Sequence, residues 1–116
     1  MTSKEMAMKA ANALLDKKGR DVLLIDISTK SSFADYFVLA TGGSDRQVDT
    51  LVEEVEDRFS QEGIEPKGVE GKNGSGWVLM DFGDIIVNTF TQEQRERYNL
   101  EKVWGDCQQT LLDSEQ

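Results

Sequence analysis

The chain has 116 residues, 38% of them hydrophobic and 30% charged, enough for one core and too few for separate cofactor and substrate modules. Its 13 basic and 22 acidic side chains leave a formal charge of −9, which opposes broad contact with DNA phosphates or a membrane surface and makes a basic protein surface the easier partner. No stretch nears the ~20 apolar residues that span a bilayer, histidine is absent and Cys107 is the only cysteine, which excludes His-dependent catalysis, intrachain disulfides and the usual zinc sites.

The opening "MTSKEMAMKAANALLDKKG" places Lys4, Glu5 and Lys9 among spaced apolar residues instead of the continuous run of a secretory signal, so a cytoplasmic protein is expected. Thr2 and Glu5 have capping-box spacing, and Met6, Ala10, Ala13 and Leu14 follow at helical intervals until Gly19 offers a stop. Residues 21–27, "DVLLIDI", form a short β-rich run. Residues 35–41, "DYFVLAT", are nearly all apolar, as in a strand covered on both faces, and the two runs should be neighbours in one sheet. Ser44 and Gln47 form a second capping-box pair, after which Val48, Leu51, Val52, Val55 and Phe59 make a helical stripe that ends before Gly63.

Pro66, Gly68, Gly71, Gly74 and Gly76 punctuate the next stretch, leaving a short strand near residues 67–70 and a flexible loop at "GKNGSG". "GWVLMDFGDIIVNTF", residues 76–90, reads as two strands turning at Gly83 and Asp84. Thr91 and Gln94 cap a last helical region running through "YNLEKVWGDCQQTLL", followed by a frayed polar tail at 113–116. The order of helix, two strands, helix, about three strands and helix predicts an α/β sandwich with a mixed sheet, one domain over residues 1–112.

Within "ATGGSDRQ", the Gly42-Gly43-Ser44 turn between a strand and a helix has the arrangement of a phosphate cradle and resembles the glycine turn of the nucleotidyltransferase fold. An Mg²⁺-nucleotide-dependent transferase would also need carboxylates converging on the metal. Asp45, Asp49 and Glu53 fall on the predicted helix at four-residue spacing, as its solvated face, while Asp81 and Asp84 straddle a turn far along the chain. Neither a Walker lysine motif nor a dinucleotide fingerprint is present. The favoured reading is architectural: Gly42 and Gly43 shape the connection, Ser44 caps the helix, and no cofactor or metal is expected. Cys107 without a histidine to activate it, and Tyr36 inside a dense apolar strand, read as packing residues.

A two-residue turn after Phe82 sets the faces of the hairpin. Val78, Met80, Phe82, Ile85, Val87 and Thr89 share one face, almost uniformly apolar and suited to the core. Trp77, Leu79, Asp81, Ile86, Asn88 and Phe90 share the other, with Trp77 opposite Phe90 and Leu79 opposite Asn88. That mixture of large apolar and hydrogen-bonding groups suits a protein interface; patterning alone equally allows a helix to cover it, with Trp77 in the core. Tyr98, Leu100, Glu101 and Trp104 add aromatic anchors beside acid, useful against an Arg- or Lys-bearing partner, and favour binding over chemistry.

Taken together, "ADYFVLATGGSDRQV", "GWVLMDFGDIIVNTF" and "RERYNLEKVW" closely resemble the ribosomal silencing factor family, also called the Iojap-related family, in the family order and from the first helix through Trp104. The resemblance implies a nucleotidyltransferase-like fold without transferase chemistry. It also implies binding to ribosomal protein fourteen of the large subunit, which blocks subunit joining and represses translation when nutrients are scarce. The positions it places at that contact are Trp77, Leu79, Asp81, Tyr98, Leu100, Glu101 and Trp104, with Asn88 standing where the family often has histidine, so that a contact requiring imidazole, or a pH switch, is not expected. Tyr36 and Gly42 match the fold motif. Mitochondrial and plastid relatives carry N-terminal extensions, so a bacterial cytoplasmic form is expected; a homodimer of the free protein is left open.

Overall fold

The computed structural model describes residues 1–71 and 74–112. The expected tail at 113–116, and Lys72 and Asn73 of the expected loop, lie outside the described residues. The elements run α1 (Ser3–Asp16), β1 (Arg20–Asp26), β2 (Tyr36–Gly42), α2 (Asp45–Ser60), β3 (Gly68–Glu70), β4 (Trp77–Asp81), β5 (Ile85–Thr91), α3 (Gln92–Tyr98), α4 (Leu100–Val103) and β6 (Gln108–Leu112). The six strands form one mixed sheet in the order β3-β4-β5-β2-β1-β6, in which β2 and β5 pair in parallel and the other neighbours are antiparallel.

The capping box at α1 is present in full: the Thr2 hydroxyl accepts from the Glu5 amide at 3.0 Å, and Glu5 accepts from the Thr2 amide at 2.7 Å. The helix stops one residue earlier than the glycine signal suggests. Lys18 takes the left-handed conformation, with φ of 68°, and Gly19 is needed for a different reason, since a Cβ there would lie 2.9 Å from the Leu14 carbonyl oxygen. The α2 stripe of Val48, Leu51, Val52, Val55 and Phe59 is buried as a set, and Gly63 supplies a left-handed exit with φ of 76°.

Two apolar clusters flank the sheet. On one face, α1 and α2 bury Ala10, Leu14, Leu51 and Phe59 against Val22, Val38, Val78, Met80, Ile85 and Val87. On the other, Leu23, Ile25, Phe37, Leu39, Ile86 and Phe90 form a second buried cluster, against which Trp77, Leu79, Leu100 and Trp104 pack while themselves only half-buried. The alternation read from the hairpin assigns both faces correctly.

The last segment departs from expectation. The helical region capped by Thr91 ends at Tyr98, breaks at Asn99 with φ of 45°, and resumes for the single turn α4. Residues 108–112 are the edge strand β6, paired with β1 from Val22↔Leu112 to Asp26↔Gln108. A strand displaces the expected helix because β1 would otherwise present an unpaired row of amides and carbonyls at the sheet edge. Cys107 therefore sits in the turn ahead of β6, buried in the second cluster, and not on a helix.

Candidate docking surface

The hairpin that carries the mixed face is tightly specified. Phe82 donates its amide to the Ile85 carbonyl at 3.0 Å, closing a two-residue turn in which Gly83 alone takes a positive φ, 92°. Trp77 then pairs with Phe90, Leu79 with Asn88 and Asp81 with Ile86, as the alternation predicts. Asp81 is committed to this turn, its Oδ1 accepting from the Gly83 amide at 2.8 Å.

Trp77 stands at the centre of an aromatic row. Its ring stacks on Phe90 with centroids 5.4 Å apart and meets Tyr98 of α3 at 4.4 Å. Its indole Nε1 donates to Asn88 Oδ1 at 3.0 Å. That bond fixes the Asn88 amide: Oδ1 must face the indole, which leaves Nδ2, in a residue only 1% exposed, buried without a partner among the described residues. Asn88 thus lies beneath Trp77, orienting it, while Tyr98 is 43% exposed.

A second row, Phe33–Phe37–Trp104, lies on the same sheet face, with centroid separations of 6.4 and 5.4 Å. Phe33, 59% exposed, is a surface member of this row that the sequence pattern did not single out. The available signal for Phe33 was a lone large apolar residue inside the polar turn "KSSFAD". Lys30 and Asp106, 2.6 Å apart, tie the Phe33 loop to the turn after α4. Their contact holds the Asp106 carboxyl below its ordinary pKa and the Lys30 ammonium above its own, chiefly through the hydrogen bond between them.

Trp77, Leu79 and Tyr98 are therefore assembled on one part of the face, and Leu100 and Trp104 pack on the same apolar cluster. Glu101 points elsewhere, with Oε2 3.0 Å from Nη2 of the buried Arg95. The glycine loop is a separate feature. The Ser44 hydroxyl accepts from the Gln47 amide at 3.1 Å, and Gln47 Oε1 takes the Gly43 amide, one residue before the position a capping box would use. Gln47 Nε2 also donates to the Lys17 and Lys18 carbonyls, tying the start of α2 to the end of α1. Gly42 lets the chain approach α2 closely, since a Cβ would lie 3.0 Å from the Val48 amide nitrogen. Among the described residues no group of three or more His, Cys, Asp or Glu converges as a metal site, and no helix is long and apolar enough to cross a membrane.

The family described as "ribosomal silencing factor during starvation" matches residues 1–116 of this chain. The chain belongs to the ribosomal silencing factor family. It is 41% identical to ribosomal silencing factor RsfS of Bacillus subtilis (strain 168) over 97% of this chain and 96% of that protein. A crystal structure of a protein from Chromobacterium violaceum, 35% identical, superposes with a TM-score of 0.87 over 90% of this chain and 88% of that one. A mouse protein named "Mitochondrial assembly of ribosomal large subunit protein 1" is 29% identical over 78% of this chain, which spans 41% of it. Membership makes the protein a regulator of translation that acts in ribosome silencing.

Proposed function

We propose that the protein silences ribosomes by occupation: the partly open sheet face docks on ribosomal protein fourteen of the large subunit and sterically blocks joining of the small subunit when nutrients are scarce. The observation that carries this reading is the asymmetry of the sheet. Two helices pack across one face, while the other keeps two aromatic rows with Tyr98 and Phe33 open to solvent. Aromatic anchors beside half-buried polar groups are the composition of a protein interface. Trp77, Leu79, Tyr98, Leu100 and Trp104 supply the contact, Asn88 orients the indole from below, and Asp81 borders the surface at the hairpin turn. A basic ribosomal protein suits an acidic chain, and the name of the mouse relative is consistent with a large-subunit partner.

The site is a cytoplasmic docking surface in a nucleotidyltransferase-like architecture put to non-catalytic use, and the mechanism needs no cofactor. A transferase built on Gly42, Gly43 and Ser44 is disfavoured because the Gly43 amide and the Ser44 hydroxyl are already spent on Gln47, and Asp81 on its own turn. The experiment is cosedimentation with separated subunits, paired with a subunit-joining assay. Pelleting with the large subunit alone and stoichiometric loss of joining are expected; self-association without large-subunit pelleting refutes the proposal in favour of a homodimer with no ribosomal role.

A further inference from the structure

The single turn α4 connects two of the docking residues, Leu100 and Trp104, yet four residues do not hold a helical turn in water by themselves. Two side chains from outside it supply the hold. Arg95 of α3, 6% exposed, sends Nη1 to the Asp21 carbonyl at 2.7 Å and to the Thr41 hydroxyl at 3.0 Å, while Nε and Nη2 converge on Glu101 Oε2 at 3.1 and 3.0 Å. Gln109 of β6 donates Nε2 to the Glu101 carbonyl at 2.8 Å and to the Trp104 carbonyl at 3.1 Å. The sheet is shaped to meet Arg95. The β1–β2 register shifts between Arg20 and Leu23, and within that irregularity Asp21 adopts φ of 50°, a left-handed conformation unfavourable for a non-glycine residue.

We infer that Arg95 and Gln109 are positioning residues for the docking surface, clamping α4 in the pose that presents Leu100 and Trp104, and that Glu101 is the clamped group and not a contact to the partner. The inference rests on the docking reading above. Its physical basis is that turning Glu101 outward to a partner would leave Arg95 as a buried cation without a counter-charge, whereas turned inward it links α4 through Arg95 to β1 and β2. Gln109 holds the same turn by its backbone, from the strand whose formation the sequence pattern conceals.

The test compares Gln109→Ala, Glu101→Ala and Trp77→Ala by amide hydrogen exchange and by affinity for purified large ribosomal subunits at low and high salt. Gln109→Ala leaves the Arg95–Glu101 pair intact, so the outcome does not hinge on the folding of the charge variant. It is expected to speed exchange at the Val103 and Trp104 amides about tenfold, with the α2 amides unchanged, and to weaken binding about fivefold. Glu101→Ala is expected to weaken binding about tenfold and by the same factor at both salt concentrations, because it acts through geometry and not through charge presented to the partner. Unchanged exchange in Gln109→Ala overturns the clamp, and parental affinity despite faster exchange overturns its role in docking. A Glu101→Ala loss that vanishes at high salt makes Glu101 a direct contact and likewise overturns the inference. Parental binding by Trp77→Ala rejects the docking face itself, an outcome distinct from failure of the clamp, which the exchange data judge without the ribosome.

Discussion

Replacing Trp77 with alanine perturbs packing and docking at once, and the two effects are separable in magnitude. The indole is partly exposed, stacks on Phe90 and Tyr98, and donates one hydrogen bond to Asn88. Truncating a fully buried tryptophan costs about 3–5 kcal/mol, and partial exposure places Trp77→Ala near the lower end, at about 3 kcal/mol including the lost hydrogen bond. A domain of this size falls by roughly 10–20 °C in melting temperature for that loss and stays folded if its stability lies in the usual range of about 5–15 kcal/mol. Large-subunit affinity, measured by sedimentation at a temperature where calorimetry shows the variant folded, is expected to fall by a further ~2 kcal/mol or more, as for a central aromatic anchor. Trp77→Phe keeps an aromatic ring against Phe90 and Tyr98 but loses the indole N–H and part of the ring area, so it should recover part of both losses. Glu53→Ala, on the exposed side of α2, should change neither. A melting temperature within ~3 °C of the parent would refute the packing estimate. Folded Trp77→Ala and Asp81→Ala proteins that bind large subunits and prevent joining like the parent would refute the docking surface.

Ser44→Ala removes the cap on α2 and should cost about 1 kcal/mol in chemical denaturation while leaving the affinity of the folded protein intact; lost binding at unchanged stability would turn the glycine loop into a contact. Gly19→Ala forces a methyl to within 2.9 Å of the Leu14 carbonyl oxygen and should cost about 1–3 kcal/mol by the same measurement, parental stability showing that the α1–β1 connection yields freely. Burial, followed by the nearby Asp26 and Asp35 carboxylates, raises the Tyr36 hydroxyl above its ordinary 10.0, so the folded state holds that proton more tightly than the unfolded chain. The resulting stabilisation is complete below pH 10 and is lost as pH rises through the folded value; Tyr36→Phe should delete the late phenolate absorbance and flatten the alkaline decline in melting temperature. Titration with Mg²⁺-nucleotide in a calorimeter should give no stoichiometric heat, and binding abolished by Asp81→Asn would overturn the architectural reading of the glycine loop.

Much of this architecture is legible along the chain because the decisive patterns are local. Alternation from Trp77 to Phe90 around a Gly83 turn determines the hairpin register and both of its faces, and the α2 stripe names the five residues that the helix buries. The alternation also puts Trp77 and Leu79 on one side, whereas the tertiary structure is what brings Leu100 and Trp104 onto the same cluster. What they leave undetermined depends on partners far away in sequence. Residues 108–112 form a strand only because β1 offers them an edge, and most of their side chains remain too open to show a period-two apolar signal. Arg95 is buried because its guanidinium meets groups 74 and 54 residues away, the Asp21 carbonyl and the Thr41 hydroxyl, with Glu101 as counter-charge. Asn88 is likewise drawn inward by the indole across the hairpin. Periodicity records which side of an element is apolar; whether a polar side chain on it faces solvent, a partner or another polar group is decided only when the elements close on one another and every buried donor must find an acceptor.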